Sequence, residues 1–246
     1  MGVRTMTHTT KLRPLSDAQA EAFDSDYLIG SRWDAVVQCI DQDFPEGNFR
    51  FLDVGGGTGR FSDRLLARYP DSSGVVLDNS EMLLGRNLPD PRKRLVLASV
   101  ERFPDHGFDL IAVHWLLHHL VAGSYLETRR QQLATLSALR ERLTPRGRLS
   151  VFENMYQGWP WAEDLPGHLI YTLASSRALA PLTRRLGANT AGVGVCFLSR
   201  REWFEAFEQA GLRKLRYEED APWPLRSVWR LVGLREIRAG HAWLGR

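Results

Sequence analysis

The most informative segment of this sequence is Phe51-Leu52-Asp53-Val54-Gly55-Gly56-Gly57-Thr58-Gly59-Arg60. Its apolar first half is typical of a buried strand, and it leads directly into a turn with four glycines in five residues. Glycine allows the backbone to bend sharply and to approach a ligand without interference from a Cβ atom. Residues 60–68 then have the pattern of a helix. The segment therefore predicts a strand, a ligand-binding turn and a helix.

Short apolar runs alternate with helical segments from Phe49 to Phe152. This alternation is typical of parallel β-α-β units, whose strands carry few charges because helices cover both faces of the sheet. The predicted strands lie at residues 51–54, 74–78, 94–98, 108–113 and 148–152, and the predicted helices at 60–68, 80–84 and 124–143.

The flanking segments complete the predicted architecture. We expect a single domain with a flexible tail (1–12), an N-terminal helical cap (13–47), a cofactor-binding core (48–154), a helical lid insertion over the substrate (155–197) and a C-terminal helix with two strands (198–246). Ser199, with Glu202 three residues later, predicts the start of that helix. The last strands are predicted near residues 213–217 and 228–234. The fold class is thus α/β, with a doubly wound, seven-stranded, mostly parallel sheet.

An acidic residue follows the second predicted strand in the position that a nucleotide site requires. Asp78 ends that strand, 25 residues after Asp53. A carboxylate there can accept two hydrogen bonds from a ribose diol. A glycine-rich turn alone would be weak evidence, but the turn and the acidic strand end in the correct order are strong evidence.

The segment from Asp53 to Gly59 matches in full the acidic-x-Gly-x-Gly-x-Gly first motif of class I S-adenosylmethionine-dependent methyltransferases. The chain resembles this family well from Phe49 to Phe152, and only in outline elsewhere. The resemblance implies that S-adenosyl-L-methionine is the cofactor, that S-adenosyl-L-homocysteine is the product and that no metal is required.

The same resemblance implies roles for individual residues around the cofactor. Asp53 and the turn would hold the methionine moiety, and Asp78 the ribose. The complete set of implied cofactor-binding residues is Tyr27, Arg32, Asp53, Gly55, Gly56, Gly57, Gly59, Asp78, Asn79, Met82, Ser99, Val100, Glu101, His114 and Trp115.

A dinucleotide-dependent dehydrogenase shares the strand, the turn and the acidic residue. Its Gly-x-Gly-x-x-Gly form would need a glycine where Arg60 stands. Asp53 would also place a carboxylate close to a pyrophosphate. Methyl transfer is therefore the better interpretation, although the glycines could also serve only a tight turn.

Methyl transfer from a sulfonium is an in-line displacement, so the protein mainly aligns the reactants and excludes water. A general base is needed only if the nucleophile must lose a proton, and histidine is suited to that task near neutral pH. The candidate catalytic residues are His114, His118 and Glu153. For His118 the alternative is a packing and hydrogen-bonding role, and for Glu153 a capping or salt-bridge role.

Aromatic side chains are concentrated in the predicted insertion. The candidate substrate-contacting residues are Tyr156, Trp159, Trp161, His168 and Tyr171. Aromatic groups over the active edge would suit an apolar or aromatic acceptor. A lid that packs on its own apolar side is an equally good interpretation.

Composition and missing motifs narrow the acceptor class. The net charge is +3 and there is no run of five or six like charges, so a nucleic-acid partner is not favoured. The chain also has neither the Asn-Pro-Pro-aromatic or Asp-Pro-Pro-aromatic tetrapeptide nor a Pro-Cys pair associated with nucleobase methylation. A small-molecule acceptor remains, with the protein acting as a monomer or homodimer.

Cys39 and Cys196 are the only cysteines, and their apolar surroundings predict two buried thiols without a disulfide or zinc site. No stretch has the 18 or so apolar residues that a membrane span needs, so we expect a cytoplasmic location.

Two other functions stay open. The protein could use the same cofactor for a reaction other than methyl transfer, or it could be a non-catalytic partner subunit.

Overall fold

A computed structural model describes Leu12, Arg13, Ser16, Gln19, Leu28 and residues 30–185, 189–225 and 227–246. Most of the predicted tail, part of the predicted helical cap and the candidate cofactor residue Tyr27 lie outside the described residues.

Seven strands and eight α-helices occur within this described part of the chain. The helices are α1 (Ser31–Asp43), α2 (Arg60–Arg68), α3 (Glu81–Leu84), α4 (Tyr125–Arg142), α5 (Leu165–Ser175), α6 (Ala180–Arg185), α7 (Arg200–Gln209) and α8 (Ser227–Leu231). The strands are β1 (Arg50–Val54), β2 (Ser73–Asp78), β3 (Lys93–Leu97), β4 (Phe108–His114), β5 (Leu143–Gly158), β6 (Arg213–Glu219) and β7 (Leu234–Gly245). Short 3-10 helices lie at Val100–Arg102 and Leu117–His119.

The strands form one sheet in the order β3-β2-β1-β4-β5-β7-β6, and β7 is antiparallel to both of its neighbours. The prediction of a seven-stranded, mostly parallel sheet is confirmed. The chain order reverses between β1 and β4, which are parallel neighbours. A crevice that binds ligands is expected at this point, outside the carboxyl ends of the strands.

Successive residues of the central strands enter different cores, as the alternation of side chains in a strand requires. Leu52 belongs to a core that also contains Trp203 of α7, and Phe51 to a second core with Ile40 of α1. Both faces of the sheet are therefore covered by helices, and the central strands carry few charges for that reason.

The C-terminal region differs from the prediction in two places. The predicted strand at 228–234 is wrong, because α8 occupies most of it and β7 begins only at Leu234. Its apolar pattern does not indicate burial in a sheet, since Leu231 is 85% exposed. Charged residues at the start of β7, such as Glu236 and Arg238, instead lie opposite residues of β5 in the antiparallel sheet.

The first residues assigned to the insertion are part of the sheet. β5 continues to Gly158, and Met155 in this extension is almost fully buried. Leu198, at the far end of the insertion, forms a bridge with Met155, and Tyr156 N–H donates to the Leu198 carbonyl at 3.0 Å. The segment that follows Gly158 therefore leaves the sheet and returns to it at the same place.

The predicted helix start at Ser199 and the two predicted buried thiols are confirmed. Ser199 Oγ accepts from Glu202 N–H at 3.2 Å, and Ser199 N–H donates to the Glu202 carboxylate at 3.0 Å. Cys39 and Cys196 are buried, free thiols. No described helix is long and apolar enough to cross a membrane. Among the described residues, no group of three or more His, Cys, Asp or Glu side chains could hold a metal ion.

Candidate functional site

The glycine turn between β1 and α2 is built from backbone conformations that favour glycine. Gly55, Gly57 and Gly59 have φ values of 70°, 52° and 76°. Gly56 is required for space, because a Cβ atom there would lie 2.7 Å from the Asp53 carboxyl group and 2.8 Å from Val76. Gly55 is therefore exposed, whereas Gly56 packs closely against Asp53 and Val76.

Asp53 lies directly beneath this turn and is buried, with 4% of its surface exposed. Ser62 of α2 donates a 2.8 Å hydrogen bond to its Oδ2 atom. Burial and, to a smaller extent, the charge of Asp78 raise the pKa of Asp53 to about 7, while the Ser62 hydrogen bond acts in the opposite direction. A cationic ligand group at the turn would favour the ionised form of Asp53.

Asp78 is joined to the turn by its side chain. Gly57 N–H donates to Asp78 Oδ2 at 2.9 Å, and Ser80 N–H donates to Oδ1 at 2.8 Å. Asn87, which the sequence analysis did not identify, donates from Nδ2 to the Gly57 carbonyl at 2.8 Å. The acidic end of β2 and the glycine turn thus form one hydrogen-bonded unit at the predicted crevice.

The remaining residues expected near the ribose and adenine differ in exposure. Asn79 and Glu101 are exposed, Met82 and Ser99 are partly buried, and Val100 belongs to the main core at 8% exposure. Glu101 accepts a 2.7 Å hydrogen bond from Gln131. Asn79 and Met82 follow the carboxyl end of β2, and the other three residues follow the carboxyl end of β3.

Trp115, immediately after β4, has a positive φ of 51°. A bulky residue rarely adopts this conformation, and such strain is concentrated at functional sites. The indole stacks on Phe152 with ring centroids 5.0 Å apart, and its Nε1–H donates to Asn154 Oδ1 at 3.0 Å. Asn154 was missed, although its position after Glu153 near a carboxyl strand end could have identified it.

Arg32 of α1 lies next to Trp115 at the end of β4. Its guanidinium carbon lies 5.4 Å from the centroid of the Trp115 ring. Its Nη2 atom forms a 2.6 Å ion pair with Asp220, which follows β6. Arg32 is therefore close to the end of β4, as expected of a cofactor-binding candidate, but it also bonds to an acid of the protein itself.

The candidate His114 ends β4 beside Trp115. Its Nε2 atom lies 3.0 Å from Ser150 Oγ, and its ring meets the Phe61 ring edge-on at 4.8 Å between centroids. Burial lowers the pKa of His114 well below its ordinary value, and nearby His241 adds to this effect. His114 is thus a neutral imidazole at physiological pH.

Glu153 and His118 form a buried pair on the opposite face of the sheet. Glu153 has no exposed surface, and His118 has only 4%. Glu153 Oε2 accepts from His118 Nδ1 at 2.6 Å, while Oε1 accepts from Leu117 N–H at 2.8 Å. These contacts favour the capping role for Glu153 and the packing role for His118.

The five candidate substrate residues do not form one cluster. Trp161 is 81% exposed, stacks on Trp159 and lines a cavity of about 510 Å³ together with His168. Tyr171 is buried and donates to the Ala122 carbonyl at 3.3 Å, and Tyr156 stacks on Phe197. The cavity is lined by residues 160–165, His168 and Arg201, so it is separate from the glycine turn.

The family described as methyltransferase domain matches residues 52–149. No curated protein matches the chain. Among solved structures, the cyclopropane synthase MmaA2 from Mycobacterium tuberculosis has a TM-score of 0.60 at 15% identity, covering 97% of this chain and 100% of that one.

Two further structures have the same fold. A putative methyltransferase (BH2331) from Bacillus halodurans C-125 has a TM-score of 0.58 at 13% identity, covering 87% of this chain and 97% of that one. The mitomycin 7-O-methyltransferase MmcR has a TM-score of 0.52 at 19% identity, covering 87% and 55%. The part of the chain that matches the methyltransferase-domain model contains the glycine turn, Asp78 and His114. The whole chain is similar in fold to these solved structures.

Proposed function

We propose that the protein binds S-adenosylmethionine and transfers its methyl group to a small-molecule acceptor by in-line displacement. One observation supports this most strongly, which is the hydrogen bond from Gly57 N–H to the Asp78 carboxylate. It joins the two sequence features of a nucleoside-binding site at the point where the strand order reverses.

The residues around the turn fit this cofactor in shape and charge. A Cβ atom at Gly56 would collide with Asp53, so the turn can pack this closely on the Asp53 carboxyl group only because residue 56 is glycine. Asp53 and Asp78 bring two carboxylates together, which suits a ligand with a sulfonium and an ammonium group. Asp78, with Asn79 and Met82, would bind the ribose, and Ser99, Val100 and Glu101 would lie at the adenine.

When bound, the cofactor supplies an electrophilic methyl group. The chain's own part is to align the acceptor with this group and to keep water away. His114 and Trp115, at the end of β4, would carry out this task, and Trp115 is held by Phe152 and Asn154. Glu153, which is fully buried, would act by fixing the loop after β4.

For the acceptor we propose a small, partly aromatic molecule bound under the insertion after Gly158. The exposed aromatic rings of Trp159 and Trp161 support a ligand-binding role for this segment. The structural neighbour MmcR is a mitomycin 7-O-methyltransferase, which acts on a small molecule. We expect a cytoplasmic monomer or homodimer without a nucleic-acid partner.

The test is a calorimetric titration with S-adenosylmethionine and S-adenosylhomocysteine. We expect binding by the wild type and at least a tenfold loss of affinity, about 1.4 kcal/mol, in Asp78→Ala. Asp71→Ala is the matched control, because Asp71 is exposed and precedes β2. Absence of binding of either ligand to the folded wild type would refute the proposal.

A second assay separates methyl transfer from other uses of the cofactor. The structural neighbour MmaA2 is a cyclopropane synthase, so proteins of this fold also catalyse reactions whose product is not simply a methylated acceptor. Candidate acceptors are incubated with methyl-labelled S-adenosylmethionine, and both products are identified by mass spectrometry. A product with one added methyl group, formed in step with S-adenosylhomocysteine, supports methyl transfer, whereas other cofactor fragments support a different reaction.

A further inference from the structure

Three side chains form a buried polar chain near the carboxyl end of β4. Ser150 Oγ lies 3.0 Å from His114 Nε2 and 3.0 Å from His241 Nε2. The three residues belong to the neighbouring strands β4, β5 and β7. Ser150 and His241 are almost completely buried, whereas His114 is partly exposed. The chain therefore leads from the candidate ligand crevice into the protein interior.

A single hydroxyl proton has to serve both contacts. Ser150 can donate to one imidazole nitrogen while its oxygen accepts an N–H from the other. Within the described residues, Ser150 Oγ has no third partner. If both rings are neutral, they must be opposite tautomers, with the proton on Nε2 in one ring and on Nδ1 in the other.

The surroundings keep both rings neutral and fix their planes. Burial lowers the pKa of His241 to about 3 and that of His114 well below its ordinary value. Phe152 stacks on His241 with centroids 4.3 Å apart, and Phe61 packs edge-on against His114. Packing thus sets the orientation of each ring, and the shared hydroxyl couples their tautomers.

We propose that Ser150 and His241 are positioning residues that present His114 to the methyl acceptor as a proton acceptor at Nδ1. In this arrangement His114 Nε2–H donates to Ser150 Oγ, and the Ser150 hydroxyl donates to His241 Nε2. His114 Nδ1 makes no hydrogen bond within the described part of the chain, so it is available to a ligand. The inference rests on the proposed function and adds the group that removes the acceptor's proton.

The proton and electron balance of the step is simple. A lone pair of a hydroxyl or amine acceptor forms the bond to the methyl carbon, while the carbon–sulfur bond breaks and its electrons stay on sulfur. The attacking atom becomes strongly acidic as its new bond forms, so a weakly basic imidazole is sufficient to take the proton. The imidazolium that results returns the proton to water after the products leave.

Nuclear magnetic resonance of the full chain with ¹⁵N-labelled histidine rings tests this arrangement, because protonated and bare ring nitrogens have well separated shifts. We expect the Nε2–H tautomer for His114 and the Nδ1–H tautomer for His241. Ser150→Ala should convert His114 into a mixture of tautomers. Ser137→Ala should leave both rings unchanged, because Ser137 Oγ donates instead to the Leu133 carbonyl within α4.

Three results would overturn the proposal: the same tautomer on both rings, an Nδ1–H form of His114, or an unchanged His114 spectrum in Ser150→Ala. If Ser150→Ala does not fold, His241→Phe removes the group that accepts the Ser150 hydroxyl and should also change the His114 tautomer. The exposed His106 supplies the control substitution, His106→Phe.

Titration of the same samples with S-adenosylmethionine separates this inference from the proposed function. Cofactor binding together with the wrong tautomers refutes the positioning role and leaves the proposed function standing. The expected tautomers without any cofactor binding refute the proposed function, and with it the role of His114 toward an acceptor. Binding by Ser150→Ala within twofold of the wild type, with a changed His114 tautomer, supports the proposal.

Discussion

Glu153 accepts a 2.6 Å hydrogen bond from His118, and neither residue has more than 4% of its surface exposed. The same carboxylate also accepts the backbone N–H of Leu117. The buried Glu153 carboxylate therefore links strand β5 to the loop after β4. This loop follows the residues that we place at the reacting methyl group.

Truncation of this carboxylate should destabilise the protein strongly. Glu153→Ala leaves the buried His118 and Leu117 donors without an acceptor, and we expect a loss of about 3–5 kcal/mol in the free energy of unfolding. Glu153→Gln should cost less and should keep cofactor affinity. Denaturant titration measures both variants, with Glu208→Ala on the exposed surface of α7 as the control. A loss below about 1 kcal/mol in Glu153→Ala would contradict the structural role.

A methyl group added at Gly56 should act on the cofactor site directly. Gly56→Ala places a Cβ atom 2.7 Å from the Asp53 carboxyl group, so the turn or β1 must shift. We expect at least a tenfold loss of affinity for S-adenosylmethionine and about 1–3 kcal/mol of destabilisation. Gly85→Ala is the matched control, because Gly85 has helical backbone angles and its Cβ would approach an atom no closer than 3.3 Å. Equal affinities of the two variants would be evidence against the assigned site.

The charge of Asp53 should destabilise the ligand-free protein above neutral pH. Its pKa is raised to about 7, so the folded state binds more protons than the unfolded state between about pH 4 and 7. Stability from this group is therefore present at low pH and is lost as the pH rises through 7. At pH 8 Asp53→Asn should be more stable than the wild type by up to about 4 kcal/mol, yet bind the cofactor more weakly. Denaturation at pH 5 and pH 8, together with calorimetry, checks both effects.

His241 should have the opposite pH dependence. Its pKa is lowered to about 3 in the folded state, against an ordinary value of 6.5. The unfolded state therefore binds the proton first, and stability is lost progressively as the pH falls below 6.5. Between pH 7.5 and pH 5 the wild type should lose about 2 kcal/mol more than His241→Gln. Comparing the two proteins cancels the contribution of Asp53, and parallel stability curves would contradict this prediction.

The proximity of the glycine turn and Asp78 could be predicted from sequence because its determinants are local. The glycine turn lies within one short segment, and Asp78 follows it at the end of the next strand, so order along the chain was sufficient. Trp115 was identified in the same way, but its positive φ depends on contacts with Phe152 and Asn154 from another strand.

Other contacts around the candidate site join distant parts of the chain. Arg32 and Asp220 are 188 residues apart, and Ser150 and His241 are 91 residues apart. No local pattern indicates such pairs, because the strand register that brings them together is a property of the whole sheet. The same reason explains the wrong strand at 228–234, where local apolar spacing did not distinguish a short helix from a strand.

The bridge between Met155 and Leu198 has a consequence for how this protein can diversify. Because the two ends of the intervening segment are held side by side on the sheet, residues can be inserted or removed between them with little additional loop-closure entropy. The cofactor-binding strands would not have to move in response. The sequence of this one segment can therefore change during evolution while the glycine turn and Asp78 keep their geometry.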